Sequence, residues 1–148
     1  MELIFREAER GDLQRIVELI ADDVVAARRT GSYGEAHVRG FEAIAASPDN
    51  ELVVAEAGGE VIGVMQLTFI PGISRNGASR LLVEAVRVRR ELRGQGIGRR
   101  LMEHAHERGR ARGCALAQLT SDKQRPEAHR FYRDLGYEQS HEGFKLPL

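Results

Sequence analysis

Residues 93–98 combine alternating glycines with flanking arginines, and this combination suits the binding of a phosphate group. The glycines are Gly94, Gly96 and Gly98, and the arginines are Arg93, Arg99 and Arg100. Glycine lets the backbone approach an anion without interference from a Cβ atom. An apolar run precedes this turn and a helical pattern follows it, so free N–H groups at the start of a helix face the same anion. The sequence therefore predicts a pyrophosphate-binding turn.

The spacing of the glycines excludes two common nucleotide-binding motifs. A Rossmann turn has the pattern Gly-x-Gly-x-x-Gly, whereas this turn reads Gly-x-Gly-x-Gly and lies late in the chain. A P-loop ends in Gly-Lys-Ser/Thr, whereas Gly98 is followed by two arginines. Taken alone, the glycines are also compatible with an ordinary turn whose arginines are solvated.

Hydrophobic periodicity surrounds this turn with interleaved strands and helices. It predicts strands at residues 3–6, 52–57, 61–70, 81–88 and 115–120, and one or two more within residues 137–148. It predicts helices from residue 13 to a break at residues 30–34, and at residues 38–45, 98–112 and 126–135. Asp12 is the predicted N-cap of the first helix. Gly58-Gly59 between two apolar runs indicates an antiparallel hairpin, so the fold class is mixed α/β.

Length and composition indicate one globular domain, residues 1–148. The 148 residues suit a single core, and 22 basic residues balance 22 acidic ones. Zero net charge gives no broad positive field, so we expect no nucleic-acid partner. The single cysteine, Cys114, excludes an internal disulfide and fits a reducing compartment. We expect a cytoplasmic protein without a membrane partner, because no apolar run would span a bilayer and the N-terminus does not resemble a signal peptide.

Two motifs in the chain resemble those of the GNAT superfamily of N-acetyltransferases. The first is the apolar strand at residues 83–88, which carries Glu84, followed by the turn at residues 93–98. It is similar to the superfamily's acetyl-CoA signature, Arg/Gln-x-x-Gly-x-Gly/Ala. The second is Tyr-Arg-Asp-Leu-Gly-Tyr at residues 132–137, similar to the helix ending Tyr-x-x-x-Gly-Phe/Tyr. The order of elements over the whole chain also resembles that superfamily.

The resemblance implies a central mixed, largely antiparallel sheet that splays between its fourth and fifth strands and is flanked by helices. Acetyl-CoA, the implied cosubstrate, would place its pantetheine arm in that opening and its pyrophosphate on the turn. The implied cofactor-binding residues are Val86, Arg87, Val88, Arg93, Gly94, Gln95, Gly96, Ile97, Gly98, Arg99 and Arg125. Arg125 stands where many members have an asparagine that contacts the cofactor, so this contact is either made by arginine or lost.

The resemblance also implies direct attack of a substrate amine on the thioester, with no acyl-enzyme. Tyr132 matches the superfamily's tyrosine that protonates the departing thiolate. Glu84 is the candidate general base, acting directly or through water; the alternative is an ordinary surface glutamate on an exposed strand face. Cys114 starts a predicted strand with no evident base nearby, so we expect it to pack rather than react.

The expected acceptor is the primary amine of a small molecule. Residues 125–132 and 136–141 resemble the C-terminal part of aminoalkylphosphonate N-acetyltransferases. The candidate substrate-contacting residues are Tyr33, His37, Phe41, Arg75 and His141. His104 and His106 lie two residues apart on a predicted helix, where they face different directions, so no metal site is expected.

Other interpretations stay open at this stage. A protein or peptide N-acetyltransferase would favour an acidic groove for a basic peptide. A non-catalytic acyl-CoA-binding or sensing domain would keep the phosphate-binding turn without turnover. An aminoglycoside acceptor would need clustered carboxylates, which Asp22, Asp23, Glu35 and Glu42 offer. A homodimer is compatible with the resemblance, although no sequence feature identifies its surface.

Overall fold

A five-stranded sheet, in the order β1-β2-β3-β4-β5, organises the computed structural model, which describes residues 1–148. The strands are β1 (Ile4–Glu7), β2 (Asn50–Ala57), β3 (Glu60–Ile70), β4 (Ser79–Val88) and β5 (Cys114–Gln118). The first four run antiparallel to their neighbours, and β5 runs parallel to β4. Gly58 and Gly59 form the predicted hairpin turn with φ angles of 56° and 82°. The mixed, largely antiparallel sheet expected from the sequence is confirmed.

Five helices flank the sheet. They are α1 (Leu13–Ile20), α2 (Val24–Thr30), α3 (Glu35–Ala46), α4 (Ile97–Ala111) and α5 (Pro126–Asp134). Short 3-10 turns occur at Arg10–Asp12 and Arg90–Leu92, and Ser74–Gly77 is a single turn in which Arg75 and Asn76 have left-handed backbones. None of the helices combines the length and the apolar character needed to cross a bilayer.

Each face of the sheet carries its own apolar core. On one face, Leu101, Met102 and Ala105 of α4 are fully buried against β2, β3 and β4. On the other face, α1 packs against β2 and β3. A Cβ atom on Gly63 of β3 would meet the Leu101 side chain at 3.1 Å, so this glycine permits the close approach of α4 to the sheet. The tight packing fixes where the first turn of α4 lies.

The sequence predicted one helix from residue 13 to residue 30, and this prediction is wrong because the structure has two helices there. The chain leaves helical geometry after Ile20, and Asp23 adopts an extended backbone with φ −133°. The Asp23 side chain accepts a hydrogen bond from the Ala26 N–H at 2.7 Å and thereby caps a new helix, α2. Val24, expected on the apolar face of a continuous helix, is consequently exposed.

The strands predicted within residues 137–148 are also absent. Tyr137 packs against the core, but residues 138–148 lie in no strand and are exposed throughout. A strand requires a neighbouring edge for its N–H and C=O groups, and this segment pairs with no edge of its own chain.

Asp12 stabilises the chain differently from the predicted N-cap. It occupies the residue before α1, but its side chain makes no cap hydrogen bond to that helix. Its carboxylate instead accepts two hydrogen bonds from the Arg6 guanidinium, at 2.8 and 3.1 Å, and one from the Glu9 N–H at 2.7 Å. The side chain is mostly buried, so these charge-assisted bonds link β1 to the start of α1.

We expect Asp12→Asn to lower the free energy of unfolding by about 1–2 kcal/mol at pH 7. The hydrogen bond from Arg6 lowers the pKa of Asp12 below its ordinary 3.8. The carboxylate's contribution is therefore complete above that value and is lost as the pH falls through the lowered pKa. Urea unfolding at pH 7 and at acidic pH measures this. Glu42→Gln, which breaks the exposed pair with Arg10, is the control and should change little. A penalty for Asp12→Asn that persists unchanged below the folded pKa would contradict this role.

Candidate active site

The fourth and fifth strands separate halfway along the sheet. Backbone pairing between β4 and β5 is confined to Ser79–Leu82 of β4, opposite Cys114–Gln118. Beyond this point residues 83–88 pair with β3 on one edge only, and the other edge is open. An open strand edge offers unpaired N–H and C=O groups to an extended ligand. We call this region the β4 opening.

A bulge in β4 lies at the start of this opening. Glu84 pairs with Gln66 and Arg87 with Val64, so β4 has one more residue than β3 over this interval. Ala85 takes up the extra length with a left-handed φ of 54°, which is costly for a residue with a side chain. Such bulges re-aim neighbouring side chains, and Glu84 beside this one is exposed. An exposed carboxylate at the edge of the opening is accessible to a ligand.

The glycine turn ends in the first turn of α4, as predicted. Gly96 takes the N-cap position with φ 81°, and no side chain caps the helix. Ile97 is buried in the core and anchors the turn. A Cβ atom on Gly98 would lie only 3.3 Å from the Phe131 ring, so this glycine brings α5 close to the turn. The uncapped N–H groups of α4 therefore lie beside the helix that carries Tyr132.

Tyr132 lies in the last turn of α5 and is surrounded by aromatic side chains. Its ring meets Phe131 and Tyr137 edge to face, with centroids 5.1 and 6.0 Å apart. The Tyr137 hydroxyl forms a 2.7 Å hydrogen bond with Nε2 of His106 on α4. Burial raises the pKa of Tyr132, against the opposing effect of Arg87 and Arg125. The phenol is therefore protonated at neutral pH and lies near two guanidinium groups.

Two aspartates between α1 and α2 hold the arginines around the opening. Asp22 pairs with Arg93 of the glycine turn and lies 3.6 Å from Nε of Arg87. Asp23 pairs with Arg125 at 2.5 Å. These contacts link the α1–α2 junction to β4, the glycine turn and the start of α5. From the sequence, Asp22 and Asp23 were considered only as carboxylates that could bind a polycation. Their role in holding the arginines was missed, although two adjacent aspartates directly after an apolar helix were visible in the sequence.

The pair formed by Arg87 and Asp22 is incompletely satisfied. Arg87 Nε and Asp22 Oδ1 are buried without a hydrogen-bond partner. Burial, followed by the charge of Arg125, lowers the pKa of Arg87, and Asp22 and Asp23 oppose that effect. Buried groups of this kind are costly unless they find a partner. Of the two atoms only Arg87 Nε is a donor, so it is the group in this cluster that is free to bind an anion.

The five candidate substrate residues come from three regions of the chain, namely residues 33–41, Arg75 and His141. Tyr33 and His37 stack with ring centroids 6.2 Å apart, and both His37 ring nitrogens are engaged, by the Gly34 N–H and the Thr30 carbonyl. Phe41 packs against the core on the α1 side of the sheet. Arg75 lies in the left-handed turn after β3, and His141 lies in the exposed segment after Tyr137. Their contact with an acceptor stays a prediction.

Comparisons with known proteins agree with this geometry. A model of the acetyltransferase (GNAT) family matches residues 13–137. The chain is 35% identical over 109 residues, 74% of its length and 70% of the relative's, to the aminoalkylphosphonate N-acetyltransferase of Salmonella typhimurium. It is 50% identical over 58 residues to mouse N-alpha-acetyltransferase 80, covering 39% of this chain and 17% of that protein.

A solved structure with the same fold matches nearly the whole chain. The crystal structure of a transcriptional regulator from Bacillus halodurans C-125 superimposes with a TM-score of 0.95 at 44% identity, covering 99% of this chain and 100% of that one. The family match extends from α1 to the residue that ends the Tyr-x-x-x-Gly-Tyr motif. The chain belongs to the acetyltransferase (GNAT) family and is an acetyltransferase.

Proposed function

We propose that this protein transfers the acetyl group of acetyl-CoA directly to the primary amine of a small molecule. The observation that carries the proposal is the placement of Tyr132. Burial raises its pKa and Arg87 of the β4 opening opposes that effect, and its ring adjoins Phe131, which would meet a Cβ atom on Gly98 of the glycine turn at 3.3 Å. The Tyr132 phenol, the β4 opening and the uncapped first turn of α4 are therefore neighbours in the structure.

The β4 opening and the glycine turn are the proposed acetyl-CoA site. The edge of β4 at Val86 and Val88 pairs with no strand and suits the amides of a pantetheine arm. In the free chain the Val86 carbonyl accepts a hydrogen bond from Arg87 and the Val88 carbonyl accepts one from Arg93, so the arm would replace these two bonds. The first N–H groups of α4, with the positive end of the helix dipole, suit the pyrophosphate. Arg87, Arg93 and Arg125 add positive charge, which Asp22 and Asp23 balance in the free chain. Arg99 on the first turn of α4 is exposed and available to a phosphate.

Two proton transfers follow from direct attack on a thioester. The acceptor ammonium loses a proton to become nucleophilic, and Glu84, exposed at the bulge, is the proposed base, directly or through water. The departing thiolate gains a proton, and Tyr132 is the proposed donor because burial keeps its phenol protonated. Burial also raises the pKa of the Cys114 thiol, which disfavours the nucleophilic thiolate and supports a mechanism without an acyl-enzyme.

An acceptor with an anionic group is favoured over a polycation. Arg87 and Arg125 oppose the burial that raises the pKa of Tyr132, and with Arg93 they outnumber Asp22 and Asp23, so the cluster near the proposed acid keeps a net positive charge. A guanidinium group binds phosphonate or carboxylate oxygens by charge-assisted hydrogen bonds. The Salmonella relative is named for aminoalkylphosphonates, which carry such an anion beside the amine. We therefore place aminoalkylphosphonates first among the candidate acceptors.

Two other functions are supported by particular observations. The short match to mouse N-alpha-acetyltransferase 80 favours a peptide N-terminus as acceptor. The Bacillus halodurans structure is that of a transcriptional regulator, which favours an acyl-CoA-sensing role without turnover. Acetylation of a small amine would distinguish the proposed function from both alternatives.

The test is the release of free CoA thiol from acetyl-CoA with a panel of amines. The panel contains aminophosphonates, amino acids, polyamines, aminoglycosides and a basic peptide. We expect the highest kcat/KM with an aminophosphonate. Turnover with the peptide alone would favour the protein acetyltransferase, and acetyl-CoA binding without turnover on any amine would favour the sensor.

A further inference from the structure

The face of the sheet on which α1 packs presents polar side chains around Glu84. On the opposite face, Leu67 of β3 and Leu81 and Val83 of β4 belong to the core beneath α4. Alternation along each strand therefore turns Gln66 of β3 and Glu84 of β4 to the α1 face. Gln66 is partly buried and Glu84 is exposed, so a ligand has access to both side chains.

β5 contributes a second glutamine to the same face. Leu81 of β4 pairs with Ala117 of β5, and both pack on the α4 side. The next pair, Leu82 and Gln118, therefore shares the α1 face with Glu84. It is also the last pair before the β4 opening, and Gln118 is exposed. A side-chain amide thus lies at the point where the two strands separate.

Four residues of the three strands form a small patch, which we call the amide patch: Gln66, Leu82, Glu84 and Gln118. Gln66 lies directly opposite Glu84, and such pairs have Cβ atoms about 4.5–5.5 Å apart. The two strand spacings from β3 to β5 amount to about 10 Å, and the two residues from Leu82 to Glu84 to about 7 Å. The patch therefore has the dimensions of an amino acid or a similarly short molecule.

The polar side chains of the amide patch are available to a ligand. They form no hydrogen bond or ion pair within the chain, and none of their atoms is buried without a partner. Thr68, on the same face of β3, differs because it donates a hydrogen bond to Asn50 at 2.7 Å. A side-chain amide offers two N–H donors and one carbonyl acceptor, so each glutamine can bind an amine or an anion.

Arg87 borders the amide patch on the same face. It lies opposite Val64, which belongs to the core beneath α1, and it pairs with Asp22 at the end of that helix. Its Nε is a donor without a partner. A carboxylate at Glu84 and a guanidinium beside it suit a molecule that carries an amine and an anion a short distance apart.

We propose that the amide patch binds the acceptor and that Gln66 and Gln118 determine which acceptor is used. This inference rests on the proposed function, because it names the contacts of the same site. The amine of the acceptor lies at Glu84 and its anion lies toward Arg87. The two amides hydrogen-bond to the acceptor from either side, and Leu82 packs beneath its carbon chain.

The next row of the α1 face disfavours a longer polar acceptor. This row consists of Ile70, Arg80 and Leu116. The Arg80 guanidinium lies by the loop after β3, since a Cβ atom on Gly72 would be 3.5 Å from its Nη1. The other two side chains form no hydrogen bonds. A peptide or an aminoglycoside would extend over this apolar surface, so the patch favours an aminoalkyl anion of amino-acid size.

Substitution of each glutamine by leucine tests this proposal, because it removes the amide and keeps an uncharged side chain on the strand. Gln66→Leu and Gln118→Leu should each raise the KM for aminoethylphosphonate about tenfold or more. The Kd for acetyl-CoA and the Tm should stay close to those of the wild type. Arg80→Gln is the matched control on the same face, outside the patch, and should change neither constant. An unchanged KM in both leucine variants, or an equal rise in Arg80→Gln, would overturn the proposal.

A binding measurement separates this inference from the proposed reaction. Aminoethylphosphonate is added to the nitrogen-15-labelled protein loaded with CoA, and the side-chain amide resonances are assigned from the two leucine variants. Those of Gln66 and Gln118 should shift, whereas that of Gln14, exposed on α1, should not. Shifts without turnover on any amine would contradict the proposed reaction and support the acceptor site. Turnover of aminoethylphosphonate without these shifts would overturn the acceptor site and leave the reaction standing, and the absence of both would overturn both.

Discussion

Tyr132→Phe is expected to lower kcat about 100-fold or more, because it removes the proposed proton donor to the thiolate. The KM for acetyl-CoA should stay within about threefold, since the ring keeps its packing against Phe131 and Tyr137. Burial raises the pKa of Tyr132 above its ordinary value of 10.0, so loss of the acid should not reduce wild-type kcat below that pH. Steady-state kinetics of thiol release over a pH series measure all three quantities.

Tyr137→Phe is the matched control for this prediction. Tyr137 is a neighbouring, half-buried phenol, but its hydroxyl is engaged with His106. Losing that hydrogen bond should cost about 1 kcal/mol of stability and leave kcat within about threefold of the wild type. Equal losses of kcat in the two variants would show that packing of the aromatic cluster matters and that Tyr132 is not the donor.

Gly96→Ala is expected to weaken acetyl-CoA binding about tenfold or more. Gly96 has φ 81°, a left-handed conformation that costs an L-residue about 1–2 kcal/mol. Relief of that strain would turn the N–H groups at the start of α4 away from the pyrophosphate, and 1.4 kcal/mol corresponds to a factor of about 10 in Kd. Isothermal titration with acetyl-CoA measures the change.

Gly77→Ala is the matched control, because it carries the same conformational cost of a left-handed backbone at a position outside the proposed binding site. Gly77 has φ 76° and, like Gly96, has no atom within 4 Å of an added Cβ, but it lies in the turn between β3 and β4. Gly77→Ala should lose about 1–2 kcal/mol of unfolding free energy and keep the wild-type Kd, whereas Gly96→Ala should weaken the Kd. Unchanged affinity in Gly96→Ala would place the pyrophosphate elsewhere.

Local patterns predicted the parts of the fold that local interactions determine. The Gly58-Gly59 hairpin and the strands on either side of it follow from turn chemistry and periodicity. So does α4, which was predicted from residue 98 and begins at Ile97. The resemblance also implied a splayed sheet, and pairing between β4 and β5 stops at Leu82. The bulge at Ala85 was not predicted, because alanine carries no sequence signal for a left-handed backbone.

Contacts between distant segments account for the errors. The Asp23 side chain caps α2 through the Ala26 N–H, and Asp22 and Asp23 also pair with Arg93 and Arg125, which lie far along the chain. Asp12 makes no cap hydrogen bond to α1, and its carboxylate instead binds the Arg6 guanidinium, which β1 brings near. In each case the aspartate was visible in the sequence, but the arginine that determines its role was not. The exposure of Glu84 could not be predicted from the sequence either, because it follows from the position of Glu84 beside the bulge.

The most direct test of the proposed reaction follows the acetyl group itself. The protein is mixed with acetyl-CoA labelled with carbon-13 in the acetyl group, first alone and then with the best acceptor from the amine panel. Mass spectrometry of protein, CoA and acceptor follows the label. Direct transfer predicts an unlabelled protein at every time and an N-acetylated acceptor that appears together with free CoA. Label on the protein before the amine is added, followed by its passage to the amine, would contradict direct transfer, and acetyl-CoA left intact with every amine would contradict the proposed reaction.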